Sequence, residues 1–309
     1  MKIQFLAMSG VRVENPDLLA LGLTLPGFVE RSEVIASLPS LSLLTLAALT
    51  SERHEVEYVE VADAAEGERV DLECDLVAIS SLSAQIREAY AIADRYRAAG
   101  VTVVMGGLHV TACPEEALLH CDAVVVGEGE RMWPRLLEDF ERGALRRWYR
   151  DGDPAGFDLA DSPIPRYDLL DPSRYNRLTV QTSRGCPHRC EFCASSILLT
   201  DRYKVKPPER VLGEVHAIKE VWDRPFIEFA DDNSFIDRTA ARRLLEPLAA
   251  EGLRWFTELD ISVGDDSDLL GLMRDAGCRQ VLVGLESPRA DSLDGIELQS
   301  NWKRLRFPT

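Results

Sequence analysis

Cys186, Cys190 and Cys193 stand in the stretch TSRGCPHRCEFCASS, separated by three residues and then by two. Three thiolates on one short loop suit a four-iron, four-sulfur cluster: its irons are held by cysteine sulfur, and three protein ligands leave the fourth iron open to another molecule. Zinc is the competing reading. A structural zinc site asks for four ligands, usually as two spaced pairs, and His188 is the one nearby fourth candidate. It lies inside the first gap, where its geometry is poor. The remaining cysteines, Cys74, Cys113, Cys121 and Cys278, have no metal spacing and read as small buried hydrophobes. An odd total of seven in a chain of 309 residues argues against a disulfide framework and for reduced thiols.

A loop of this kind needs a scaffold, and the sequence alternates strands with helices along most of its length. In the first half, 2–8, 55–61, 76–80, 101–105 and 123–126 read as strands, several too continuously apolar for a one-sided sheet. Between them, 41–49, 84–99 and 130–141 carry apolar residues at helical spacing. Parallel neighbours need crossovers, so this order predicts a parallel sheet with helices on both faces and a ligand site at the carboxyl ends of the strands. The stretch 149–175 is dense in Pro, Asp and Gly without periodicity and predicts a linker. Beyond it, strands at 177–182, 226–230, 254–259 and 280–285 alternate with helices at 208–222, 238–251 and 267–276, as in part of a β/α barrel. The expected division is therefore a doubly wound domain over 1–148, a linker over 149–175 and an incomplete barrel over 176–309. The stretch 289–309 is polar and arginine-rich and does not resemble a closing strand.

Composition narrows the partners. Thirty-five Lys and Arg against 52 Asp and Glu give a net charge of −17 and a pI near 4.8, which repels phosphate backbones and anionic membranes. The N-terminus has no small-residue cleavage site and the apolar runs are strand-sized, so the expected location is the cytoplasm, with no membrane span and no nucleic-acid partner.

With the cysteine loop placed directly after the first strand of a barrel, the chain resembles the radical S-adenosylmethionine (radical SAM) superfamily, whose signature is CxxxCx(aromatic)C in that position. Phe192 occupies the aromatic place. The form TSRGCPHRCEFC is similar to the branch that carries an N-terminal cobalamin-binding domain, and the first half resembles that domain. Ser80-Ser81-Leu82, Gly106-Gly107-Leu108-His109 and Gly127-Glu128-Gly129-Glu130 follow three successive strands, and a glycine pair lets backbone approach a flat macrocycle or its nucleotide tail. The fold class implied is α/β: a flavodoxin-like (Rossmann-type) cobalamin-binding domain followed by a partial (β/α) barrel radical SAM core.

The resemblance also implies cofactors and sites. Cys186, Cys190 and Cys193 would hold a [4Fe-4S] cluster whose open iron chelates S-adenosylmethionine. Phe192 within the cysteine motif, Asp231, Asp232 and Asn233 after the second barrel strand, and Glu286 after the fourth, would lie near that molecule. Acids at such places also cap helices, a role that suits Asp237 better than this pair; Glu258 and Asp260 after the third strand are equally open. Ser80, Leu82, Gly106, Gly107, His109, Gly127 and Glu128 would line cobalamin. The DxHxxG element that supplies a histidine ligand to cobalt in one class of cobalamin proteins is absent: no histidine precedes His54 and no HxxG occurs.

The activity implied is reductive cleavage of S-adenosylmethionine to a 5′-deoxyadenosyl radical, in a cobalamin-dependent methyltransferase acting on an unactivated carbon. The alternatives are a radical SAM cyclase or rearrangement enzyme with a vestigial cobalamin domain, or a truncated non-catalytic cluster-binding fragment, since the family barrel has six strands and four are legible here. Expected partners are a small-molecule or lipid-like substrate and an external one-electron donor such as flavodoxin. The extra cluster cysteines and basic tail of the tRNA methylthiotransferases are not visible. Protein reconstituted anaerobically should carry one four-iron cluster. Cys186→Ala, Cys190→Ala and Cys193→Ala should each abolish it and Cys278→Ala should spare it, as measured by iron, sulfide and zinc analysis.

Overall fold

The computed structural model describes residues 1–8, 38–61, 63–153, 155–188, 193 and 202–284. The chain divides into two compact units, Met1–Phe157 with Pro163–Arg177, and Asp158–Ser162 with Leu178–Thr309.

In the first unit, strands β1 (Lys2–Met8), β2 (Glu55–Val61), β3 (Leu76–Ser80), β4 (Thr102–Gly106), β5 (Ala123–Val126) and β6 (Trp148–Arg150) form one parallel sheet in the order β2-β1-β3-β4-β5-β6. The helices are α1 (Leu41–Ala48), α2 (Ala64–Gly67), α3 (Ile86–Ala98), α4 (Leu108–Ala112), α5 (Pro114–Ala117) and α6 (Met132–Glu141). Side chains alternate across the pleat, so β1 sends Ile3, Phe5 and Ala7 to one core and Leu6 and Met8 to the other. The first core takes Leu43 and Ala47 of α1 with Trp133, Leu136 and Leu137 of α6. The second takes Ala89, Ile92, Ala93 and Tyr96 of α3. Trp133 is wholly buried, and its indole N–H donates to Thr50 Oγ1 at 2.8 Å, so its polar atom costs nothing inside. From β1 the order runs outward to β2 on one side and to β3 on the other, which makes the carboxyl ends of β1 and β3 the switch point where sheets of this kind take a ligand.

The stretch expected as a linker is instead built into the fold. Trp148–Arg150 pairs with β5 as the sixth strand, and one-turn 3-10 helices follow at Leu159–Asp161, Tyr167–Leu169 and Pro172–Arg174. Asp158 and Asp171 cap two of these turns, donating no proton but accepting the N–H of Ala160 and Ser173. Buried tyrosines anchor the segment: Tyr149 donates to Asp139 at 3.0 Å and Tyr175 donates to the buried Glu60. The Pro and Asp density therefore encodes capped turns, and the apolar content that fixes them is carried by tyrosine, whose polar end disguises it in a hydropathy pattern.

In the second unit, β7 (Leu178–Val180), β10 (Phe226–Phe229), β11 (Arg254–Leu259) and β12 (Cys278–Val283) form a parallel sheet in the order β12-β11-β10-β7. A two-residue antiparallel ribbon, β8 (Ser183–Arg184) with β9 (Lys204–Val205), stands apart from it. Helices α7 (Pro208–Val221), α8 (Arg238–Leu248) and α9 (Ser267–Asp275) connect the strands. Asp237 caps α8, accepting the N–H of Thr239 and Ala240, and Asp266 caps α9 while both its carboxylate oxygens accept from Arg242 Nη2. Phe229 stacks on Trp255 at 4.6 Å between ring centres, and the Trp255 indole donates to the Ala276 carbonyl at 2.8 Å. Among the described residues no helix is long and apolar enough to cross a membrane.

One buried ion pair links the end of β7 to α7. Lys206 Nζ bonds Glu214 Oε1 with both side chains almost wholly buried, the Gln181 N–H donates to Glu214 Oε2 at 3.3 Å, and the Lys206 N–H donates to the Thr182 carbonyl at 2.9 Å. Burial pushes the Glu214 carboxyl up, and the Lys206 ammonium opposes that shift. A lone charge left in such a place is far worse than none. Lys206→Met should therefore cost ~3–5 kcal/mol in denaturant unfolding, and the double replacement Lys206→Met, Glu214→Leu should recover most of it.

Candidate functional site

The loop that bears the cysteines starts at the carboxyl end of β7, and its first residues are gripped by the turn that follows β10. Asp231 is fully buried. Its carboxylate accepts the N–H of Thr182 at 2.8 Å, the N–H of Ser183 at 2.9 Å, the Ser234 hydroxyl at 2.9 Å and the Thr182 hydroxyl. Burial pushes this carboxyl up and the four donors pull it back. The next residue continues the grip, since Asp232 Oδ2 accepts the Gly185 N–H at 2.8 Å. The third reaches the first cysteine: Asn233 Nδ2 lies 3.8 Å from Cys186 Sγ, within hydrogen-bond reach of sulfur. Three consecutive side chains thus hold the loop at residues 182, 183, 185 and 186.

The turn itself is strained in a way that packing sustains. Phe235 has φ of 65°, a left-handed conformation costly for a bulky residue, and its buried ring meets Phe229 and Trp255 edge-on at 6.3 and 6.0 Å. At the far side of the loop, Ser183 pairs with Val205 and Arg184 with Lys204, which draws the two ends of the cysteine segment together.

Cys186 is buried and Cys193 half-buried. Burial pushes the Cys186 thiol up; the His188 N–H and the Asn233 amide oppose the shift, and Asp232 and Cys193 add to it. Two soft donors close enough to influence one another, with an amide aimed at one of them, fit an iron–sulfur cluster, and a metal taking the sulfur displaces the thiol proton. Cys190, Phe192 and Glu286 lie outside the described residues. Asp260, after β11, joins the group through Asn233, and His188 Nε2 stands 3.9 Å from Asp260 Oδ2. Burial would raise the Asp260 carboxyl, yet the Ser262 donors, Asn233 and the charge of Arg238 hold it below the usual carboxylate range.

In the first unit the residues singled out after β3, β4 and β5 gather along one sheet edge. Gly107 has φ of 99°, and a Cβ there would come within 3.1 Å of Ser80 Oγ. Gly127 has φ of 82°, donates its N–H to Thr111 Oγ1 at 3.0 Å and has open space where a side chain would stand. Gly106 ends β4, and Leu82 projects half-exposed. These bare stretches of backbone at the carboxyl edge of the sheet suit a flat ligand that comes close to the main chain. Glu128 accepts the Phe157 N–H at 2.8 Å. His109 Nδ1 shares a hydrogen bond with Ser83 Oγ at 3.1 Å, while the buried Nε2 makes no hydrogen bond and stands 3.6 Å from Glu116 Oε1. Cys113, expected as a plain hydrophobe, stands with His109 and Glu116 so that their ligand-type atoms lie within 4.8 Å of one another.

Asp231, Asp232 and Asn233 were singled out for proximity to S-adenosylmethionine; the hydrogen bonds above are to the cysteine loop. Thr182, Ser183, Ser234 and Lys206 escaped notice because hydroxyls and a lysine in a strand-to-loop passage carry no pattern. The clue available was the odd hydroxyl density of TSRG beside a strand end.

Two domain models match the chain, B12 binding domain over 32–137 and Radical SAM superfamily over 180–306. The bacteriochlorophyllide d C-8(2)-methyltransferase of Chlorobaculum tepidum is 29% identical over 82% of this chain and 59% of its own length. The hopanoid C-2 methylase of Rhodopseudomonas palustris is 28% identical over 87% of this chain and 52% of its own length. The chain thus spans between half and three fifths of the length of these relatives. Among solved structures, the radical S-adenosylmethionine methyltransferase TsrM from Kitasatospora setae, with cobalamin and a [4Fe-4S] cluster bound, matches with a TM-score of 0.71 at 17% identity, over 100% of this chain and 62% of that one. A sheet of flavodoxin order matched by the B12 model, followed by a strand-end cysteine loop matched by the radical SAM model, leaves one placement: the chain belongs to the radical SAM superfamily, in the branch with an N-terminal B12-binding domain.

Proposed function

We propose that this chain supplies the cofactor-binding core of a cobalamin-dependent radical SAM methyltransferase that acts on an unactivated carbon. The observation that carries the reading is the cysteine loop fastened to the carboxyl end of β7 by Asp231, Asp232 and Asn233, in a chain whose other unit offers glycine backbone at the edge of a flavodoxin-order sheet. The methyltransferase names of its relatives favour methyl transfer over cyclisation or rearrangement.

When bound, a [4Fe-4S] cluster supplies one-electron reduction of S-adenosylmethionine, and cobalamin supplies methyl transfer. The chain's own residues have definable tasks around them. Cys186, Cys190 and Cys193 would hold the cluster, with one iron left open to S-adenosylmethionine. Asp231 and Asp232 fix the backbone before the first ligand, so that the loop need not be ordered by the metal alone. Phe192 and Glu286, by their places in the family motifs, would border S-adenosylmethionine. In the first unit, Gly106, Gly107 and Gly127 let the main chain approach cobalamin, with Ser80 and Leu82 beside them. His109, held at Nδ1 by Ser83, would lie beside cobalamin without serving cobalt.

The substrate class is a small or lipid-like molecule, the electron donor an external one-electron carrier such as flavodoxin, and the location the cytoplasm. The acidic surface, with a net charge of −17, disfavours nucleic acid.

Two outcomes test this. Anaerobic turnover with S-adenosylmethionine and a one-electron reductant should yield S-adenosylhomocysteine and 5′-deoxyadenosine together. The second product alone would indicate cyclase or rearrangement chemistry, and neither would indicate a non-catalytic fragment. Separately, paramagnetic resonance of the protein-bound cobalt(II) cofactor should lack splitting from a protein imidazole nitrogen. Splitting that vanishes in His109→Ala would show that this histidine leaves Ser83 to reach cobalt.

A further inference from the structure

Asn233 stands where it can govern the electron affinity of the cluster. Its amide has two orientations, and the structure selects one. The Asp260 N–H donates to Asn233 Oδ1 at 3.0 Å, which commits the amide oxygen to backbone. The amide nitrogen is thereby turned toward Asp260 Oδ2 at 3.3 Å and Cys186 Sγ at 3.8 Å. A flipped amide would set its oxygen against both the Asp260 carboxylate and the sulfur, an arrangement with three acceptors and no proton. Asp260 is fixed in turn by the Ser262 N–H, which donates to Oδ1 at 2.7 Å. The backbone carrying Asn233 is pinned on one side by Asp231 and on the other by Phe235.

Reduction of an iron–sulfur cluster puts negative charge onto its cysteine sulfurs, and an N–H directed at one of them stabilises the reduced form more than the oxidised form. Asp232 and Asp260 are close by and push the other way. Of the two N–H groups that act on this sulfur, the His188 backbone and the Asn233 amide, the amide is the one a substitution can remove, and it opposes nearby carboxylates. Resting on the cluster reading above, we infer that Asn233 is a positioning residue that raises the reduction potential of the cluster through its bond to Cys186, in an orientation imposed by Asp260.

The test uses the full chain with its reconstituted cluster, titrated anaerobically while the reduced species is followed by paramagnetic resonance. Asn233→Asp replaces the donor with an acceptor of the same shape, and Asn233→Ala removes it without adding charge. With iron and sulfide content equal to the parent, Asn233→Ala should lower the ratio of reduced to oxidised cluster at a fixed potential about threefold, the equivalent of one ordinary hydrogen bond, and Asn233→Asp should lower it further. An unchanged ratio in Asn233→Ala at full iron content would overturn the inference. Loss of the cluster from both variants would also overturn it, by making Asn233 a scaffold of the loop. Failure of the parent chain to take up a four-iron cluster would instead overturn the cluster reading on which this one rests.

Discussion

A carboxylate sealed away from water is tolerated only when its lone pairs are filled, and Asp231 fills them with the first residues of another strand's exit. That exchange fixes most of what matters in the second unit. Thr182 and Ser183 gain buried partners for their N–H groups just where the sheet ladder ends, so the chain leaves β7 in one direction. Lys206 and Glu214 then hold the same point from below, through Gln181 and the Thr182 carbonyl. The cysteine loop inherits a rigid origin from charges and dipoles that never touch its metal.

The two units solve a similar problem by different means. Both place their candidate site residues at the carboxyl ends of parallel strands, where backbone donors and helix beginnings converge. In the first unit the means is subtraction: side chains are missing at Gly107 and Gly127, and backbone is left bare. In the second it is addition, with Asp231, Asp232 and Asn233 reaching across to a neighbouring loop. A large planar cofactor is received by removing obstacles, whereas a cluster built on thiolates needs its ligands held in place.

The strands and long helices were legible because their apolar spacing is driven by burial on two faces. The strand at Arg254–Leu259 stands where alternation of Trp255, Thr257 and Leu259 puts it. The short helices α2, α4 and α5 escaped because four or five residues cannot show a helical period. The segment 149–175 was misjudged for a different reason. Its anchors are tyrosines whose hydroxyls serve Glu60 and Asp139, partners remote in sequence, and its aspartates cap turns that only the finished fold makes worthwhile. At the site, the cysteine spacing announced itself, since cluster chemistry is written in nearby residues. The grip of Asp231 on Thr182 spans 49 positions, and no local pattern encodes it.

The ribbon of Ser183–Arg184 against Lys204–Val205 has an architectural consequence. It fastens the entry of the cysteine segment to its exit, close to where the chain leaves β7. Changes in the segment's length or composition need not shift β7 or β10. Evolution can therefore reshape the surroundings of the metal, and with them the molecules admitted to it, while the underlying sheet stays as it is.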